Sequence, residues 1–542
     1  MKKSTTTPPS RVTDYDWVVV GSGFGGSVAA LRFAEKGYRV AVIERGKAYE
    51  DDDLPTSTSD RRKFFWAPAL GLKGIMRSVL FQHVFSSTQT GVGGGSLMYG
   101  GVLFRPHSAF YANPQWQGLA DWETMLSDHY ATAERMLGAN RTPWESLNMG
   151  LSRGLAGHFG GSSTFSPAPV AVFFGEPGKT VPDPYFGGAG PDRTGCIRCG
   201  QCMTGCRVGA ANRLTKNYLW FAEQNGATIL PETAVVDVAP MGAPDGRDGY
   251  RVTTRHPGSL VRRRSRTLTA RGIVFAGGAV GTNELLANCK HGGSLPRLSD
   301  RIGELVRTNS EAVVSVLLPE DCETWQDVTA SSRVVIDGDT QIEFLTYGPQ
   351  GDFMRFMFTT LVGEGAVPVR LLKWAKSVTS HPGRWVRTLR RGWSRRTVMM
   401  LVMQPRDNAI RFTAKRRVLR NGYKLVTKID HDRPAPTYLE AGHRAATWLA
   451  EQTGGIAQSS IFEAFGNMPM TAHVLGGAAI GATATEGVVD HNLRVFGYEN
   501  MIVCDGAALP ANPGVNPALT ITAMAEHAMA QVPARGLGRW AS

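Results

Sequence analysis

The chain is 542 residues long, 42% hydrophobic and 19% charged, with a formal net charge of +13; this is an ordinary composition for a folded protein large enough to enclose a bulky ligand. No apolar run reaches the ~20 residues that cross a bilayer, and the opening MKKSTTTPPSRVTDYD has no apolar stretch after its lysines, so it does not read as a secretion signal. The expectation is a cytoplasmic protein with peripheral membrane contact left open, and nucleic acid is set aside as a partner because no nucleic-acid module accompanies the basic charge.

After a short N-terminal arm, residues 16–20 (DWVVV) form a β-branched apolar run of the kind that makes a buried strand. Gly21-Ser22-Gly23-Phe24-Gly25-Gly26 follows at once, then a helical pattern over 27–36, a strand pattern over 38–43, and Glu44 at its end. In such a unit the first glycine permits the tight turn, the second lets backbone approach a pyrophosphate, and the third lets helix and strand pack closely. The helix N-terminus offers its N–H groups to the phosphate charge. An acid at the position of Glu44 suits a ribose hydroxyl and repels a 2′-phosphate, which argues against NADP. The unit by itself leaves FAD and NAD open.

A second glycine run, Gly91-Val92-Gly93-Gly94-Gly95-Ser96, comes next. Four of the seven cysteines then crowd together as Cys196-x2-Cys199-x2-Cys202-x3-Cys206. That spacing suits an iron–sulfur cluster, with zinc or free thiols as the alternatives. Cys289, Cys322 and Cys504 read as plain buried thiols. Residues 273–282 (IVFAGGAVGT) look like a strand, a turn at Gly278 and a helix start. Residues 312–317 and 397–403 have the patterning of sheet, and Glu343 alternates with apolar neighbours in TQIEF as on a strand.

Residues 367–396 carry nine Lys or Arg and no Asp or Glu, mixed with Leu371, Leu372, Trp374, Trp385 and Trp393. This is either a surface for anionic lipid or a solvated basic face whose aromatics turn inward, and Pro382-Gly383 interrupts any single helix. The C-terminal block holds His473-Val474-Leu475-Gly476-Gly477, then Val503-Cys504-Asp505-Gly506, then Gly514-Val515-Asn516-Pro517 and a helical pattern over 518–532.

These segments in this order resemble the glucose–methanol–choline (GMC) oxidoreductases. Asn516 within G-V-N-P, together with PDPYFGGAG at 182–190 and the cysteines after it, resembles the cholesterol-oxidase branch and most of all its mycobacterial-type sterol oxidases. The likeness runs from about residue 14 to the end of the chain. It implies an α/β fold in which a Rossmann-like FAD-binding domain (1–105, 200–310 and 465–542) interleaves with an α+β substrate-binding domain carrying an antiparallel sheet (106–199 and 311–464), the cysteines lying at the boundary.

The resemblance also implies FAD as cofactor, held by Gly21, Gly23, Phe24, Gly25, Gly26, Glu44, Gly91, Gly93, Gly94, Gly95, Ser96, Gly278, Asp505, Gly506, Asn516 and Pro517. It gives His473 the proton of the alcohol, which an imidazole of pKa near 6.5 can accept. Asn516 orients the alcohol or the flavin, with helix capping as its alternative role. Glu343 becomes the base that shifts a Δ5 double bond to Δ4, as a carboxylate with a burial-raised pKa can. The expected reaction is oxidation of a secondary alcohol to a ketone, on a sterol or 3β-hydroxysteroid, with oxygen or an electron-carrier protein as acceptor. Two alternatives stand beside it: a dehydrogenase of another alicyclic or terpenoid alcohol that passes electrons through an iron–sulfur cluster, and an electron-transfer flavoprotein whose alcohol site is vestigial.

Overall fold

A computed structural model of the chain describes residues 13–161, 164–258, 265–418 and 422–537; the arm expected at the N-terminus lies outside the described residues. Tyr15–Val20 and Val40–Ile43 are short apolar runs buried on both faces, the condition of parallel strands covered by helices. They pair in parallel with each other and with Thr228–Leu230 on one side and Ser265–Phe275 on the other. Ser265–Phe275 is long enough to serve two neighbours in turn. Its last three residues pair in parallel with Met501–Val503, and its first half pairs antiparallel with Tyr250–Arg255, beyond which lies Ala234–Pro240. The helix Phe24–Glu35 packs against the C-terminal helix Ala518–Ala530, and nearly every residue of the latter is buried.

A second sheet is antiparallel throughout. Its order is Phe358–Thr360, Ile456–Ser460, Ala312–Leu317, Thr397–Met403, Thr340–Leu345, Ala330–Ile336, Phe165–Pro167. Alternate residues face opposite ways. Val314, Val316, Val398, Met400 and Phe344 join an apolar cluster with the helices Leu147–Phe159 and Glu440–Thr453. Val313, Leu401 and Glu343, which stand opposite one another across three strands, face the other way, into a cavity.

The basic stretch folds as two helices, Val367–Ser380 and Pro382–Thr388, with the break at His381 and Pro382. Some of its aromatics turn inward, and some of its apolar residues stay exposed. Trp393 is fully buried, and the Trp374 indole donates to Thr359 Oγ1 at 2.9 Å, while Leu372 is 72% exposed and Arg370 is the only buried residue of the first helix. No described helix is long and apolar enough to cross a membrane. Cys289 and Cys504 are buried as expected, but Cys322 is exposed, in a surface loop.

Candidate active site

Four chain segments leave the carboxyl ends of adjacent parallel strands and converge, the place where open α/β sheets bind ligands. They begin at Gly21, Glu44, Ala276 and Cys504. The first turn is wedged between two of the others. Gly21 has φ +103°, and a β-carbon there would stand 2.2 Å from the Ala276 carbonyl oxygen; one on Gly25 would stand 1.5 Å from that of Cys504. On Gly23 a β-carbon would meet nothing within 4 Å. The turn is therefore locked on its protein side and open on the other, the shape a dinucleotide pyrophosphate needs.

Glu44 ties this turn to the second glycine run. One carboxylate oxygen accepts from the Ser22 backbone (3.2 Å) and hydroxyl (2.8 Å), the other from the Gly46 backbone at 2.9 Å and the Gly91 backbone at 3.4 Å. The Gly93 N–H in turn donates to the Ser22 hydroxyl at 3.1 Å. Asp505 accepts from Thr282 Oγ1 at 2.6 Å and from the Ala507 backbone at 2.8 Å, and burial still raises its pKa to about 6.

A cavity of about 860 Å³ starts at these turns and runs under the second sheet, within the usual size of a ligand site. Of the residues singled out from sequence, Gly21, Gly23, Phe24, Gly25, Glu44, Gly94, Gly95, Gly278, Asp505, Gly506, Pro517, Asn516, His473 and Glu343 stand in its wall. Gly26, Gly91, Gly93 and Ser96 lie behind the wall, where Gly26 faces the Gly21 carbonyl and Ser96 Oγ donates to the Gly93 carbonyl at 2.7 Å. The far end is apolar, lined by Val313, Leu345, Tyr347, Phe358, Met399 and Leu401.

His473, Asn516 and Glu343 come from three distant segments and meet here. Asn516 Nδ2 donates to Glu343 Oε2 at 3.2 Å, and Glu343 Oε1 accepts from Gln341 at 2.6 Å. The Asn516 side chain does not cap the C-terminal helix, whose N-terminus has no side-chain cap. Its Oδ1 is buried with no partner among the described residues. Burial raises the Glu343 pKa to about 7, against the pull of Asn516, His473 and Gln341.

One group that the sequence reading missed completes the set. Glu311 is 2% exposed and lines the same cavity. Its Oε1 accepts from the Ala472 backbone at 3.1 Å, its Oε2 from Thr471 Oγ1 at 2.9 Å, and the same Oε2 stands 2.7 Å from His473 Nδ1. Burial alone would depress the imidazole pKa, but the Glu311 carboxylate outweighs it, with a smaller push from Glu343, and holds it above its ordinary value. Asn309 and Ser310, both with positive φ, deliver Glu311 to this spot. Asn309 Oδ1 accepts from the Gly514 backbone at 2.9 Å and its Nδ2 donates to the Val515 carbonyl at 3.0 Å. A charged residue directly before an apolar strand was the only trace of this in the sequence.

The cysteine segment needs a correction. Among the described residues no three or more His, Cys, Asp or Glu are placed to hold a metal ion. Cys196, Cys202 and Cys206 pack against the apolar cluster of the second sheet, and burial pushes the Cys196 thiol up to about 12 and that of Cys202 higher. Of the alternatives the spacing left open, the iron–sulfur cluster therefore has no support from where these side chains stand.

Residues 16–50 match the model of an FAD binding domain, and residues 406–525 match that of a GMC oxidoreductase. The chain is 43% identical over 538 residues to a cholesterol oxidase of Mycobacterium tuberculosis, covering 96% of this chain and 92% of that protein. It is 40% identical over 529 residues to a cholesterol oxidase of Acinetobacter baumannii, covering 96% and 95%. Among solved structures, pyridoxine 4-oxidase from Mesorbium loti superposes with a TM-score of 0.60 at 15% identity, over 95% of this chain and 98% of that one. A fungal aryl-alcohol oxidase gives 0.57 at 14% identity, over 96% and 98%.

Proposed function

The chain belongs to the cholesterol-oxidase branch of the GMC oxidoreductases, and on that premise we propose that it oxidises the hydroxyl of a sterol or 3β-hydroxysteroid to a ketone with FAD. The observation that carries the reading is the meeting of His473, Asn516 and Glu343 at one wall of a cavity that joins the glycine turns to an apolar chamber. FAD, when bound, supplies the hydride acceptor. Gly21–Gly25, Glu44 and the turns at Gly278 and Asp505 would hold it, the open side of Gly23 leaving room for its pyrophosphate.

The chain's own work is positioning and proton handling. His473 accepts the hydroxyl proton as the C–H hydride leaves, a contribution of roughly 10²–10⁴-fold for a well-placed base. The unpartnered Asn516 Oδ1 gives the ligand an acceptor beside that imidazole. The apolar end, among Val313, Phe358, Met399 and Leu401, takes the hydrocarbon skeleton and keeps water from the reacting carbon. Glu343, with its pKa near 7, moves the proton that shifts a Δ5 double bond to Δ4.

Oxygen is the acceptor this reading favours, supported by the oxidases to which the chain is similar. The iron–sulfur route has no such support. We also place an anionic lipid surface against the helices Val367–Ser380 and Pro382–Thr388. Their exposed leucines and unbalanced basic charge support it, as does their packing on Phe358–Thr360, whose Phe358 lines the apolar end of the cavity.

The test is anaerobic mixing of the FAD-loaded protein with a panel of 3β-hydroxysteroids and simple alcohols while the flavin absorbance is followed, and then admission of air. Bleaching by 3β-hydroxysteroids with return of colour in air is expected. A panel in which no sterol bleaches the flavin overturns the substrate assignment.

A further inference from the structure

Beside the proposed base the cavity wall holds a carboxylate, Glu311, to which none of the preceding reaction steps has given work. It stands at the entry of Ala312–Leu317, 2.7 Å from His473 Nδ1 and off the ideal hydrogen-bond direction. Nδ1 has no other polar partner among the described residues. The carboxylate is fixed independently of the imidazole, by the Ala472 N–H and the Thr471 hydroxyl. Thr471 also holds the histidine backbone, its Oγ1 accepting from the His473 N–H at 2.9 Å. Two consecutive non-glycine residues in left-handed backbone, Asn309 at φ 57° and Ser310 at φ 43°, bring Glu311 here. Backbone of that kind is costly and survives where surrounding contacts over-determine it, commonly at functional sites. Here Asn309 is held from both sides by the segment that carries Asn516.

We propose that Glu311 is the positioning residue of the active site: it holds His473 as the tautomer protonated on Nδ1, leaving Nε2 as the bare acceptor for the substrate hydroxyl, and it stabilises the imidazolium that forms. The inference rests on the alcohol-oxidation reading above. In the step it serves, the hydroxyl proton passes to His473 Nε2, the hydride leaves the same carbon for FAD, and a C=O double bond forms. Glu311 takes no proton in this step; its part is that of the buried carboxylate behind the histidine of a serine hydrolase. Glu343 stands on another strand, where its oxygens accept from Asn516 and Gln341.

The titratable groups that bear on His473 are these two carboxylates, Glu311 from the strand Ala312–Leu317 and Glu343 from Thr340–Leu345. Both raise the imidazole pKa, and Glu311 does more of it. A base with a raised pKa is free only above that pKa, so the flavin-reduction rate of the native protein rises with pH along a limb set by His473. Removing the Glu311 charge must move that limb to lower pH even as it lowers the plateau.

The experiment uses the FAD-loaded protein with Glu311→Gln and Glu311→Asp. Glu311→Gln should keep its FAD content and slow anaerobic flavin reduction about a hundredfold or more. Its pH limb should shift downward, and Glu311→Asp should recover part of the rate. In parallel, ¹⁵N shifts of the His473 ring are titrated in the resting protein without substrate. They should show Nδ1–H in the native protein and a lower titration midpoint in Glu311→Gln. An unchanged limb together with an unchanged midpoint overturns the proposal, as does a native ring protonated on Nε2. The failures separate: if no sterol reduces the native flavin yet the midpoint still moves, the substrate reading falls and the pairing stands.

Discussion

Glu311 and Glu343 are both buried beside His473, yet their environments pull them apart. Glu311 accepts from a backbone N–H and a hydroxyl and faces the imidazole. Glu343 stands between Leu401 and Arg333 on the neighbouring strands, and burial lifts its pKa to about 7. Two carboxylates with such different partners suit two tasks. Glu343→Gln should leave flavin reduction within a fewfold of native while the Δ5-3-ketosteroid accumulates unisomerised, measured by absorbance of the conjugated product. Because the raised pKa keeps Glu343 protonated below about 7, isomerisation by the native protein should rise as pH passes through that value. A flat profile between pH 6 and 8 would count against Glu343 as the base. His473→Ala should retain FAD and lose ~10²–10⁴ in the rate of flavin reduction.

At the scale of elements, the first turn is built by collision. A methyl group on Gly25 would meet the Cys504 carbonyl at 1.5 Å. The obstacle is backbone from a strand end, so it cannot yield as a side chain would. Gly25→Ala should therefore cost more than the ~1–3 kcal/mol usual for overpacking, and purified protein should come out without bound FAD and with a lowered Tm. Gly23→Ala, where a β-carbon meets no protein atom, should fold normally and weaken FAD retention alone. The helix pair at 367–388 is a separable element, since apart from Arg370 and Thr388 it buries little. Neutralising Lys376 and Arg384 to Gln should reduce binding to phosphatidylserine vesicles by roughly fivefold per charge. Turnover of a detergent-dispersed steroid should not change.

At the scale of the molecule, each of the two sheets draws its strands from its own set of chain segments. We propose that the division into an FAD unit over 1–105, 200–310 and 465–542 and a substrate unit over 106–199 and 311–464 follows those sets. The cavity lies where the sets meet, so cofactor and substrate are brought together by tertiary packing of segments hundreds of residues apart. The net charge of +13 acts over the whole surface. Vesicle association should fall steeply between 0.1 and 1 M salt, as the screening length drops from ~10 to ~3 Å. Binding insensitive to salt would mean that the exposed leucines carry it and the charge does not.

The sequence by itself determined the parts whose signal is local. The strand–turn–helix around Gly21–Gly26 is legible because its strand has a period of two, its helix one of 3.6, and its turn demands glycine. Glu44 stood where such a strand ends, and the sheet patterning of 312–317 and 397–403 appears in the fold with those same bounds. The tertiary structure decided what depends on neighbours distant in the chain. Four closely spaced cysteines left an iron–sulfur cluster, zinc or free thiols open, because spacing does not say what else the thiols meet; Cys196, Cys202 and Cys206 pack against the apolar core, and no metal site forms among the described residues. Glu311 had no motif to mark it. What makes it a partner of His473, 162 positions further along, is the left-handed kink at Asn309 and Ser310 and the bonds that pin Asn309 to the chain before Asn516. A charge and the proton it governs interact through space as 1/r, and separation in space is fixed only when the chain has folded.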